Sequence, residues 1–291
     1  MRLARRRALR KVHPIDWDEG DPPLARGKVV GVVSPGGGSG ATTVAVNVAL
    51  WLSEGGPTAA LVDADPGLGA VAALLGLSED RSLPYLGHEA TLRPVDQDLL
   101  DRHLQSYRRL AVLTGRSEPV GPIDGLPAVF EATLPLLCQR FPLVIADIGA
   151  VTWGTPLALA SRCHALVWVV EASSGGADRL DRCLSASVMN PLRAKPSLAV
   201  INKAGVGLPG GGEDWLAREY GLSLLGEVPH DLAAVRRGEE RLLPPVLGGP
   251  LAEPLRGVAG RLAAAVGGRL PSHSELPAAG HRTLAPGSSR A

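Results

Sequence analysis

Val29-Val30-Gly31-Val32-Val33 runs directly into Ser34-Pro35-Gly36-Gly37-Gly38-Ser39-Gly40-Ala41-Thr42-Thr43. Four β-branched residues around one glycine predict a strand buried on both faces. Behind the turn, Val44-Ala45-Val46-Asn47-Val48-Ala49 predicts a helix starting at Thr42. A strand, a glycine-rich turn and a helix N-terminus in that order aim successive backbone N–H groups at a phosphate, helped by the helix dipole. Measured against the general pattern G-x-x-x-x-G-K-[ST], the loop has Pro35 at the first Gly and Ala41 at the Lys. The context is that of a phosphate site; the usual cation is missing from it.

Outward from the loop, short apolar runs alternate with amphipathic stretches. Residues 29–33, 59–63, 110–114, 143–147, 165–171, 198–202 and 223–228 read as strands without in-out alternation, which predicts a mainly parallel sheet. Helical patterns fill the gaps at 42–53, 69–75, 126–139, 177–189, 213–220 and 253–266. The expected fold is α/β, a doubly wound, mainly parallel sheet in a single domain over residues 28–268. Residues 1–27 read as a basic flexible leader and 269–291 as a disordered tail poor in large apolar side chains. Two strands end in carboxylates: Val62-Asp63-Ala64-Asp65-Pro66 and Ile145-Ala146-Asp147. Open α/β sheets bind ligands at such strand ends, so Asp63, Asp65 and Asp147 join the loop as candidate site residues.

Composition removes several classes. The 291 residues carry 30 Lys plus Arg against 29 Asp plus Glu, a formal charge of +1, so no overall field recommends nucleic acid or an acidic surface. Three cysteines without a CxxC pair argue against a disulfide framework or structural zinc, and with no apolar leader they point to a reducing cytosol. No apolar run approaches the roughly 18–20 residues of a spanning helix, so membrane contact is expected to be peripheral, at the inner face, or indirect. The seven histidines show no metal-ligand spacing. The arm Arg2, Arg5, Arg6, Arg7, Arg10, Lys11 would attract anionic lipid or nucleic acid, but a solvated tail is the plainer reading.

Taken with Val200-Ile201-Asn202-Lys203 and Gly226-Glu227-Val228-Pro229-His230-Asp231, these pieces resemble the MinD/ParA group of P-loop ATPases with a deviant Walker A motif, over residues 28–266. The missing loop lysine and Ile148-Gly149-Ala150-Val151-Thr152-Trp153-Gly154-Thr155-Pro156 look most like the CpaE/TadZ branch, associated with Flp-type pilus and secretion machinery. The resemblance implies ATP and Mg²⁺ as cofactors. It places the phosphates within Gly36, Gly37, Gly38, Ser39, Gly40, Ala41, Thr42 and Thr43. It puts the Thr42 hydroxyl on Mg²⁺, with Asp147 holding the metal through water and Asp63 supporting the metal side. Asp65 matches the carboxylate that positions the attacking water, Asn202 the residue contacting adenine, and Pro229 to Asp231 the loop lining the base. Asn202-Lys203-Ala204-Gly205 is also similar to the guanine-reading N-K-x-D, but Gly205 lacks the carboxylate, which favours adenine.

Two departures bear on activity. The position of the family's signature lysine, which reaches across a dimer, is Gly36, and that of the second lysine is Ala41. Loss of one charged hydrogen bond to phosphate costs on the order of 1.5–3 kcal/mol, roughly ten- to 150-fold in affinity. A cation facing the transferred phosphoryl group is worth about 10³–10⁵ in rate, so hydrolysis suffers more than binding. The expectation is an ATP-binding switch or positioning protein in pilus assembly, secretion or polar localisation, a nucleotide-bridged homodimer with weak or no hydrolysis. A nucleotide-independent pseudo-ATPase scaffold and a ParA-like chromosome or plasmid partitioning ATPase are the competing readings.

Overall fold

The computed structural model describes residues 27–55, 59–66, 69–116, 125–151, 153–205, 212–240 and 244–267. Nearly all of the expected leader and all of the expected tail lie outside them. Eight strands form one sheet: β1 Lys28–Ser34, β2 Ala59–Asp63, β3 Gln105–Tyr107, β4 Leu110–Leu113, β5 Leu143–Ala150, β6 Ala165–Glu171, β7 Ser197–Ala204 and β8 Ser223–Pro229. Their spatial order is β3-β4-β2-β5-β1-β6-β7-β8. Every pairing is parallel except the antiparallel β3/β4 edge.

The continuous apolar strands are explained by two cores, one on each face. Val29 and Val33 of β1, with Leu166, Trp168 and Val170 of β6, share one core with Phe130, Leu134 and Leu137 of the helix Leu126–Arg140. Val30 and Val32, with Ala165, Val167 and Val169, face the other core with Val44, Val48 and Trp51 of the helix Ala41–Glu54 and Leu255, Val258 and Leu262 of the helix Ala252–Ala265. Alternate side chains thus enter different cores, as in a sheet covered by helices on both sides.

The chain differs from expectation where its apolar signal is weakest. Between β2 and β4 the helix expected at 69–75 forms as Val71–Leu75, but two unexpected helices, Leu83–Glu89 and Gln97–His103, follow it before the three-residue strand β3. Gln97–His103 starts at Asp96, whose carboxylate accepts from Leu99 N at 2.8 Å; such a cap is worth ~1 kcal/mol. Further helices at Thr155–Ser161 and Leu232–Glu240 were not expected either. The helix anticipated at 177–189 instead runs Ser174–Ser185, and after an extended Ala186 a separate 3₁₀ turn spans Ser187–Met189.

Strand β1 is central, and the chain crosses to β2 on one side of it and later to β6 on the other. The carboxyl ends of β5, β1 and β6 therefore border the crevice at the sheet's topological switch. A bulge sits at this end: Val32 pairs with Asp147, but Val33 pairs with Gly149. Such irregularities re-aim side chains at sites.

Candidate functional site

The chain leaves β1 at Ser34, whose hydroxyl donates to Gly36 O at 2.9 Å. Gly38 (φ +77°) and Gly40 (φ +88°) then turn through the left-handed region, where side-chain-bearing residues are strained. A Cβ built on Gly37 or Gly38 meets nothing within 4 Å, so this part of the loop stands open. At Gly40 a Cβ would lie 2.2 Å from Asn202 Nδ2. The helix Ala41–Glu54 starts there without a side-chain cap, leaving its first amides to other acceptors. Ala41 is 6% exposed and belongs to the core beneath the helix, so it presents nothing to the crevice. The Thr43 carbonyl accepts from Asn47 Nδ2 at 2.7 Å, and Asn47 Oδ1 accepts from Val246 N, also at 2.7 Å.

The three aspartates converge on this end of the sheet with distinct environments. Asp63 and Asp147 are register partners on β2 and β5. Asp63 is enclosed by backbone: its carboxylate accepts from Val71 N at 3.1 Å and Asp65 N at 3.3 Å, and Gly69 and Gly115 press against it. Burial, with the Asp65 charge adding to it, pushes its pKa up to about 7. Its first role is to tie down the segments after β2 and β4. Asp147 is fully buried, yet neither carboxylate oxygen has a hydrogen-bond partner among the described residues. Burial, then the Asp63 charge, hold its pKa well above the carboxylate range, while the nearby Thr42 hydroxyl acts the other way. Asp65 lies against Gly149 (φ +70°), where a Cβ would sit 2.4 Å from Asp65 Oδ2.

A buried carboxylate with no donor in full hydrogen-bond geometry, approached by the Thr42 hydroxyl and the Gly149 amide at a phosphate loop, suits a hard dication completed by phosphate and water oxygens. Among the described residues no group of three or more His, Cys, Asp or Glu side chains is placed to hold a metal. Thr42 and Asp147 could therefore hold Mg²⁺ only together with oxygens brought by a ligand and water.

The residues expected on the base side are drawn into structure of their own. Asn202 Nδ2 donates to Ser39 O at 2.7 Å, so its amide grips the loop from β7. Pro229 ends β8 opposite Ala204, and His230 N donates to Ala204 O at 2.9 Å. Asp231 Oδ1 accepts from Ala234 N at 2.8 Å at the start of the helix Leu232–Glu240. A narrow groove lined by Thr43, Asn47, Leu74, Val235 and Pro245 runs beside the first turns of the loop helix. A cavity of about 870 Å³, lined by His164, Lys195, Glu219 and Tyr220 among others, lies at the amino ends of β6 and β7, away from every expected site residue.

The sequence reading missed the cations of this end of the sheet. Arg179, on the helix Ser174–Ser185, lies over Gly36: a Cβ there would be 2.9 Å from Arg179 Cδ. Its Nη2 meets Glu171 Oε2 at 2.7 Å, and Lys203 Nζ lies 3.8 Å from Glu171 Oε1. Lys203 itself has φ +56°, a left-handed conformation uncommon outside glycine. The spacing of Arg179 from the loop carries no local signal, since only the tertiary fold brings them together.

Strand β1, its glycine loop and the acidic strand ends define a P-loop nucleotide-binding domain. The family described as "CobQ/CobB/MinD/ParA nucleotide binding domain" (CbiA) matches residues 30–244, and the chain belongs to it. The fold is similar to that of the cell division ATPase MinD of Pyrococcus furiosus (TM-score 0.67, 19% identity, covering 82% of this chain and 99% of that one). It is also similar to a ParA family ATPase from Chlorobium tepidum TLS (0.66, 19%, 82% and 99%). The septum site-determining protein MinD of Pyrococcus horikoshii OT3, complexed with Mg-ADP, matches at TM-score 0.64 and 17% identity, covering 81% of this chain and 95% of that one. Identities this low establish likeness of fold. No curated protein matches the chain. Among the described residues no helix is long and apolar enough to cross a membrane.

Proposed function

We propose that this protein binds ATP with Mg²⁺ and works as a nucleotide-dependent switch or positioning protein. The observation that carries the reading is Asp147, a fully buried carboxylate with no hydrogen-bond partner among the described residues, beside Thr42 at the loop. An orphaned buried charge costs several kcal/mol unless a cation compensates it. On this reading Gly37, Gly38 and Gly40 let the main chain wrap the phosphates, Thr42 and Asp147 hold the metal side, and Asp65 orients water. Asn202 and the segment from Pro229 to Asp231 border the base.

Turnover is slow or absent on the same reading. Gly36 and Ala41 carry no charge, and electrostatic stabilisation of the transferred phosphoryl group is what such loop cations supply. A nucleotide-bridged homodimer and service to pilus or secretion machinery, as in the CpaE/TadZ branch, complete the proposal. They rest on the sequence resemblance.

A second reading, a pseudo-ATPase scaffold that needs no nucleotide, is favoured by Ala41, whose side chain faces the core rather than the crevice. Titration with a fluorescent ATP analogue, with and without Mg²⁺, separates the two. Saturable, metal-dependent binding that Asp147→Ala abolishes supports the switch. No binding at millimolar nucleotide supports the scaffold.

A further inference from the structure

The geometry points to Arg179 as the cation of the phosphate loop, a polyphosphate-binding residue that stands in space where the loop itself supplies no charge. This inference rests on the nucleotide-binding reading and names the group that would make such binding effective.

Arg179 covers Gly36 with its stem, close enough that a Cβ on the glycine would meet Cδ at 2.9 Å and Nε at 3.4 Å. The guanidinium is held from the rear. Its Nη2 is bonded to Glu171 Oε2 at 2.7 Å, and Glu171 ends β6, a strand of the central sheet. Glu171 pairs in register with Asn202, the residue that grips Ser39, so the anchor of the arginine and the clamp of the loop share one rigid edge. A guanidinium has five donors, and the bond to Glu171 uses one nitrogen. Lys203, 3.8 Å from the other oxygen of Glu171, makes the cluster two cations to one anion, a net positive charge beside the loop. Side-chain exposures of 37% for Arg179 and 34% for Lys203 leave both heads reachable by a ligand.

A planar guanidinium fixed by a carboxylate is suited to bidentate binding of phosphate oxygens. Glycine at position 36 then follows physically, because a longer side chain would displace the arginine stem. The ligand class is a nucleoside di- or triphosphate, with the arginine meeting the phosphate chain rather than the base.

The test measures ATP and AMP affinity of the full chain by calorimetry or fluorescence, for wild type, Arg179→Gln, Arg179→Lys and the distant control Arg102→Ala. Arg102 is an exposed residue paired with Asp98. Arg179→Gln is expected to weaken ATP roughly ten- to 150-fold, the worth of one charged hydrogen bond, while AMP changes little. Arg179→Lys should recover part of the loss, and thermal unfolding without nucleotide should match wild type. Wild-type ATP affinity in Arg179→Gln, or an equal loss in Arg102→Ala, would overturn the assignment of Arg179 and leave the loop reading standing. Absence of ATP binding by the wild type would overturn both.

Discussion

Asn202 Nδ2 donates to the main-chain carbonyl of Ser39 at 2.7 Å, joining residues 163 positions apart in the chain. The carboxyl end of β7 thereby holds the crown of the loop, at the point where Gly40 turns with φ +88°. Asn202→Ala leaves that buried carbonyl short of a donor, at about 1–3 kcal/mol. Gly40→Ala adds backbone strain and a Cβ that collides with the same amide. Both variants should unfold at lower temperature in thermal melts followed by circular dichroism. The double variant should lose less than the sum, because removing the amide relieves the collision; strict additivity would show that the two residues do not meet.

Asp147→Asn should trade binding for stability. It keeps the shape of the side chain but removes a buried acid whose ionisation the fold opposes. Without nucleotide, at pH 7.5, the variant is expected to be more stable by about 1–3 kcal/mol in urea melts. Its Mg²⁺-dependent ATP binding should vanish. A variant less stable than wild type would mean that the charge is compensated.

The same carboxyls set a pH dependence opposite in sign to that of paired surface acids. Asp63 is pushed up to about 7 and Asp147 is raised well above its ordinary value, both first by burial. Between about pH 4 and pH 7 the native state holds protons that the unfolded chain has released. The Asp63 contribution is full below about pH 4 and is lost as pH rises through about 7, and that of Asp147 falls in the same direction with rising pH. The difference in melting temperature, Asp147→Asn minus wild type, should therefore grow from pH 5 to pH 7.5. A constant difference would contradict the raised pKa of Asp147.

Ala41→Lys restores an ammonium at the head of the loop helix. Ala41 is 6% exposed with its methyl in the core, so the longer stem has to turn back out of the core past the loop to keep its ammonium solvated. ATP affinity should rise at least about tenfold, with hydrolysis measured in parallel by phosphate release. Unchanged affinity would argue that the loop does not hold phosphate.

Most of the architecture was legible because its signals are local. β1, β5 and β6 are apolar on both sides, and the loop and its acidic neighbours are contiguous motifs. Gln105–Tyr107 escaped notice because a three-residue polar edge strand has no period to detect. Leu232–Glu240, reading Leu-Ala-Ala-Val-Arg-Arg-Gly-Glu-Glu, is mostly polar and buries little beyond Ala234. Motif spacing located Asp63, but not its enclosure by the amides of Asp65 and Val71, which required the chain to fold back. Arg179 was illegible for the same reason: it reaches Gly36 from a different crossover.

The helix Ala41–Glu54 is buried everywhere but at Thr42 and Thr43, walled by the sheet on one side and by the helix Ala252–Ala265 on the other. Side chains so tightly surrounded leave no direction in which the rod can tilt or slide without opening voids. The helix behind the loop is thus an anvil rather than a hinge. The rim is thinner elsewhere, as in the stretch after β5 where Trp153 stands 76% exposed to solvent.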